Sequence, residues 1–130
     1  METKTKIRSF QDLEVWQRGH ELVLKIYDLT KRLPIEESYG LTSQLQRAAV
    51  SITTNIAEGF SRYHYKDKVN FYYASRGSVS EVQNLLLVVR DVRYVPESLI
   101  NPLLEQTDEI RRLLNGLVRS AKDQVIHVVV

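Results

Sequence analysis

The chain has 130 residues, 43% of them hydrophobic and 26% charged, a balance that suits one globular domain with a core of its own. Its 18 lysines and arginines against 16 acidic residues leave a net charge of only +2, so the global field selects no polyanion and binding to nucleic acid needs a local patch. The absence of cysteine excludes disulfides and thiolate metal sites, no run approaches the ~18 apolar residues of a membrane span, and the start METKTKIRSFQDLEVW lacks a secretory signal, so a cytoplasmic protein without membrane contact is expected.

Residues 1–9, with Lys4, Lys6 and Arg8, are polar and basic and read as a frayed tail. Asp12 suits the cap of a first helix that carries Leu13, Trp16, Val23, Tyr27 and Thr30 on one side and Val15, Leu22, Ile26, Leu29 and Leu33 on another. Two apolar faces suit a core contact on one side and a second subunit on the other. His20, on the Trp16 side, reads as packed or interfacial rather than as a ligand. Pro34 is expected to end the helix, and residues 34–40 form a loop.

The stretch LTSQLQRAAVSITTNIAEGF, residues 41–60, predicts the second helix. At about 100° per residue, Leu41, Leu45, Ala48, Ala49, Ile52 and Ile56 form a core face, while Arg47, Ser51, Asn55 and Glu58 gather into an adjoining polar stripe. Such a stripe is either solvated or a set of groups that bond to one another or to a partner. Thr42 or Ser43 suits the cap, with Ser43 and Gln46 at capping-box spacing, and Gly59 is placed to end the helix in a left-handed conformation.

The next turn, FSRYHYKDK, interleaves Arg62, Lys66 and Lys68 with Tyr63, His64 and Tyr65. Cations beside stacking rings suit a single-stranded nucleic-acid site; the alternative is a solvated loop whose tyrosines fold back onto the bundle. A third helix is expected from about Asp67 to Arg93, with Val69, Tyr72, Val79, Val82, Leu86 and Val89 on its core face. The LLLVV run at residues 85–89 cannot all face one core, so part of this helix is expected to be buried twice. Gly77 in mid-helix costs about 1 kcal/mol relative to alanine and predicts a close helix crossing.

Residues 94–96 form a connection, and Asn101 and Pro102 suit the cap and first position of a fourth helix, after a preliminary turn at residues 97–100. Leu103, Thr107, Ile110, Leu114, Leu117 and Ala121 form its seam. Arg111, Arg112, Arg119 and Lys122 lie toward its far end, where cations complement the helix dipole, and the three arginines make a second candidate nucleic-acid surface. The tail VIHVVV, within residues 123–130, reads as an added strand or an interface segment.

The fold class is therefore all-α, an antiparallel up-and-down four-helix bundle over residues 10–122. Counting outward from residue 63 puts Arg47 level with Glu81 and Ser51 level with Gly77 and Ser78. That predicts a shielded, charge-assisted Arg47–Glu81 pair, with Ser51 near the Gly77 crossing and Ser78 close by. Catalytic signals are lacking: there is no glycine-rich phosphate loop, no His-Glu-x-x-His motif and no cysteine nucleophile, and no histidine stands at helical spacing from Ser51 or Ser78. His20, His64 and His127 share no metal spacing, so no metal or cofactor is expected.

The segments FQDLEVWQRGHELVLKIYDLT, YGLTSQLQRAAVSITTNIAEGF, GSVSE and LLNGLVRSAK together resemble the small bacterial four-helix-bundle proteins encoded in intervening sequences of 23S rRNA genes. The resemblance covers roughly residues 8–122. It implies a ring-like homopentamer, and related proteins that act as accessory factors binding a reverse transcriptase and nucleic acid. It also marks Arg47, Ser51, Asn55, Glu58, Gly59, Gly77, Ser78 and Glu81 as a structural and assembly cluster. The chain departs from the family pattern at Thr53 and Thr54, where proline and alanine are common, in the aromatic turn at residues 63–65, and at Arg93, where glycine is usual. The expected function is a noncatalytic homo-oligomeric scaffold for RNA, DNA or a nucleic-acid-handling protein. The alternatives are a purely structural ring without nucleic-acid contact, or an enzyme acting through Arg47, Ser51, Asn55, Glu58 and Glu81.

Overall fold

The computed structural model describes the backbone of residues 6–129 and the side chains through residue 125. Expectations that rest on residues 1–5, on the His127 side chain or on Val130 lie outside the described residues. Four helices follow in order: α1 (Glu14–Thr30), α2 (Leu41–Ser61), α3 (Tyr65–Val92) and α4 (Glu97–Val129). Each packs against two neighbours in the cycle α1–α2–α3–α4–α1. Thr30 bonds to Gln46, Ser51 to Ser78 and Arg76 to Asn115, so residue numbers rise on one helix as they fall on the next and neighbours are antiparallel.

The apolar periodicity accounts for the core. Val15, Leu22, Ile26, Leu29 and Leu33 are buried from the α1 side, Leu45, Ala48, Ala49, Ile52 and Ile56 from α2, and Val79, Val82, Leu86 and Val89 from α3. α4 adds Leu103, Ile110 and Leu114. Each large aliphatic side chain so buried stabilises the fold by about 1.5–3 kcal/mol. The second apolar face of α1 is only partly covered, and Tyr27 is exposed. In the LLLVV run, Leu85, Leu86 and Val89 are buried while Leu87 and Val88 remain 37% exposed, so the chain by itself buries this segment once.

The helix ends differ from the sequence expectations, because their caps come from across turns. Asp12 is not the cap of α1: Ser9 is the N-cap of a short 3-10 turn at Phe10–Asp12, and Asp12 at its third position completes the capping box. Its carboxylate accepts the Arg8 and Ser9 amides at 2.8 and 3.0 Å, which hold it below the usual aspartate range. α1 ends at Thr30, well before Pro34, which instead leads a second 3-10 turn at Ile35–Glu37. Glu37 from that turn accepts the Leu41 amide at 3.2 Å, so α2 starts at Leu41, with Gly40 as its N-cap and Thr42 and Ser43 inside its first turn. Gln46 forms no box with Ser43; it donates to Thr30 Oγ1 at 3.1 Å.

Gly59 lies within α2 and has no left-handed conformation; the residue that does is Arg93, at φ 69°, which closes α3. α4 begins at Glu97 and runs unbroken through Asn101 and Pro102, so the proline sits inside the helix rather than at its start. The helix continues to Val129, which overturns the strand reading of the tail.

Candidate functional site

The polar stripe of α2 divides into three parts. At the α2–α3 contact line, Ser51 Oγ lies 2.9 Å from Ser78 Oγ, a contact more specific than the nearness the antiparallel count predicts. Ser78 donates to the Ala74 carbonyl at 3.3 Å, so it must accept from Ser51, which in turn accepts from Asn55 Nδ2 at 3.1 Å. The chain Asn55 to Ser51 to Ser78 to Ala74 uses each hydroxyl proton once. One turn deeper, the buried Ser75 hydroxyl donates to the Ile52 carbonyl at 2.8 Å. These bonds lock two helices together and leave neither Ser51 nor Ser78 bonded to a base.

Arg47 and Glu81 form no ion pair, which corrects the predicted shielded contact. Both are exposed and stand on the rim of an open hollow of about 670 Å³, which Tyr27, Gln46, Val50 and Ser51 also line. The count gave their height along the bundle correctly, but both point outward beyond the line where Ser51 meets Ser78. Glu58, the third part, lies at the end of the stripe and pairs with Arg62 at 3.5 Å, both about half exposed, a contact worth about 1 kcal/mol or less.

The glycines also exchange roles. Gly77 is exposed and a β-carbon there would meet nothing within 4 Å, so no crossing occurs at it. A β-carbon on Gly59 would lie 2.6 Å from Tyr72 Cε1, and one on Gly19 would lie 2.9 Å from Thr53 Cγ2. These are the close approaches of α2 to α3 and of α1 to α2.

In the turn, Lys68 Nζ donates to the Phe60 and Gly59 carbonyls at 2.6 and 3.3 Å and caps the C-terminus of α2. Burial pushes its amine below the usual lysine range. Arg62 lies 4.6 Å from the Phe71 ring centre. Lys66 is exposed and joins no ion pair, Tyr63 is 89% exposed and meets His64 edge-on, and Tyr65 is exposed, so the tyrosines do not fold back onto the bundle. Arg111 is held between α3 and α4 by Ser80, Gln83 and Asp108 at 3.0, 2.7 and 3.4 Å, whereas Arg112 and Arg119 are exposed.

The sequence reading missed a group beside them. Tyr73 lies under Arg76 at 4.7 Å and Lys122 at 5.1 Å, and Arg76 donates to Asn115 Oδ1 at 3.0 Å. Reading α3 against α4 in antiparallel register would have found it.

These contacts gather residues 6–20, 55–76 and 112–125 at the end that carries the α2–α3 turn. Those segments hold ten basic and five acidic residues, net +5 in a chain of net +2, so the remainder carries −3. Of the large exposed hydrophobics, Ile7, Tyr63 and Tyr65 lie at this end, while Leu24, Val50, Leu87, Val88 and Val92, together with Tyr27, Tyr39 and Tyr94, lie on the other half. Among the described residues no group of His, Asp or Glu is placed to hold a metal ion, and no helix is long and apolar enough to cross a membrane.

The fold is similar to the crystal structure of a protein of unknown function from the S23 ribosomal protein family of Bacteroides thetaiotaomicron VPI-5482, with a TM-score of 0.73 and 22% identity over 80% of this chain and 97% of that one. No curated protein matches the chain. The model of the 23S rRNA-intervening sequence protein family matches residues 11–116, which spans parts of all four helices, and the chain belongs to that family.

Proposed function

We propose that this protein is a noncatalytic scaffold whose copies assemble into a ring and present nucleic acid, or a protein that handles it, at the basic end of each bundle. The observation that carries the reading is the division of the surface, with net +5 at one end and most of the exposed aliphatic side chains at the other. Phosphate neutralisation needs the first kind of surface, and contact between copies needs the second. The pentameric number follows from the family resemblance alone. A closed ring needs two different patches on each copy, and the half-covered face of α1 and the exposed Leu87–Val88 surface of α3 supply two apolar ones. The serine cluster, bonded within itself, supports a structural rather than a catalytic role.

Light scattering coupled to size-exclusion chromatography tests the assembly, with a pentamer expected; a 15.1 kDa particle at micromolar concentration overturns it. Titration with a labelled oligonucleotide over a range of salt tests the ligand. The purely structural ring is favoured instead if a pentamer forms and no salt-dependent binding appears.

A further inference from the structure

We propose that the seam between α3 and α4 at the basic end is a track for the phosphates of a single nucleic-acid strand. The inference rests on the nucleic-acid reading above and gives it a location other than the α2–α3 turn. The turn offers less charge free of carboxylates: Lys68 is held by the α2 carbonyls and Arg62 pairs with Glu58, which leaves Lys66 at the start of α3. The seam differs. Lys66 and Arg76 on α3, and Arg112, Arg119 and Lys122 on α4, have no carboxylate within 4.0 Å among the described residues.

Helical geometry aligns them. Residues 112, 119 and 122 fall within about 80° on α4, centred near Asn115, and residues 66, 73 and 76 fall within about the same angle on α3. The Arg76–Asn115 bond fixes the two stripes face to face. From Arg112 to Lys122 the track is about 15 Å long at 1.5 Å per residue, and neighbouring helix axes stand about 8–10 Å apart. One sugar-phosphate strand fits between cations so spaced, while a duplex meets mostly one side. Tyr73 holds Arg76 and Lys122 in place with its ring covered by them, so the seam reads charge rather than bases. Asp123 and Asp67 are the carboxylates nearest in sequence. Asp67 points about 100° around α3 from Lys66, whereas Asp123 lies about 40° from Arg119 on α4, at the edge of the stripe, and offsets one of its three cations.

The test is a fluorescence-anisotropy titration with a labelled 20-nucleotide single strand of mixed sequence at several salt concentrations. Three proteins are compared: the unaltered chain; a seam variant with Arg112→Gln, Arg119→Gln and Lys122→Gln; and a control with Lys25→Gln, Lys31→Gln and Arg32→Gln, which removes the same charge from the opposite end. Circular dichroism melts establish that all three are folded. The seam variant should bind more weakly, with a log–log salt slope shallower by about 2, since each lost phosphate contact on a single strand removes about 0.7. The control should keep the slope. Equal loss in both variants reduces the effect to net charge and overturns the proposal. An unchanged seam variant with a clearly binding parent overturns the track and leaves the nucleic-acid reading standing. No binding by the parent at low salt removes both, and tighter binding of the matching duplex removes the single-strand assignment.

Discussion

Gly59 on α2 faces the ring of Tyr72 on α3 so closely that a β-carbon at residue 59 would lie 2.6 Å from Cε1 and 3.0 Å from Phe71 Cβ. Ring and backbone are both fixed by packing, so Gly59→Ala must push the helices apart. The overpacking penalty of about 1–3 kcal/mol exceeds the gain of about 1 kcal/mol from helix propensity, and urea denaturation should show a net loss.

Gly77→Ala should do the opposite. Nothing in the chain lies within 4 Å of the new methyl, so stability should rise by about 1 kcal/mol through helix propensity. A concentration-dependent loss instead would place another copy against this face of α3.

Arg93 ends α3 at φ 69°, a conformation that costs a residue with a β-carbon about 1–2 kcal/mol. Glycine at this position removes that strain but gives the unfolded chain more freedom. Arg93→Gly should therefore raise stability by roughly 0.5–1 kcal/mol, read from the same denaturation curves.

Burial pushes the Tyr72 hydroxyl up to about 12. Its folded value lies above the unfolded value of about 10, so the associated stability is present below pH 10 and drains away as pH rises from about 10 to 12. Ultraviolet difference titration should show a tyrosine ionisation near pH 12 that Tyr72→Phe removes. Tyr72→Phe should flatten the alkaline loss of stability.

What the sequence made legible is what repeats along one helix. Core faces follow from spacing alone, and the nearness of Ser51 and Ser78 followed from counting residues back from a tight turn. Counting gives height and not direction around the axis, which is why Arg47 and Glu81 share a level and do not meet. The helix caps were hidden for another reason. Glu37 and Lys68 act across turns on elements they do not belong to, so no local motif announces them. The glycines were ambiguous because a missing side chain matters only through what faces it, and the partners of Gly19 and Gly59 sit on other helices.

The opposed charge of the two ends has a dynamic consequence. With +5 at one end and −3 over the rest, the bundle carries a large permanent moment along its length, and α2 alone, at 21 residues, is about 31 Å long. In the field of a polyanion such a body experiences a torque as well as an attraction. It turns its α2–α3 turn forward before contact, so fewer collisions arrive in a useless orientation. This pre-alignment acts over roughly a Debye length, about 8 Å at physiological ionic strength, and it fades as salt is added even where the final contacts survive.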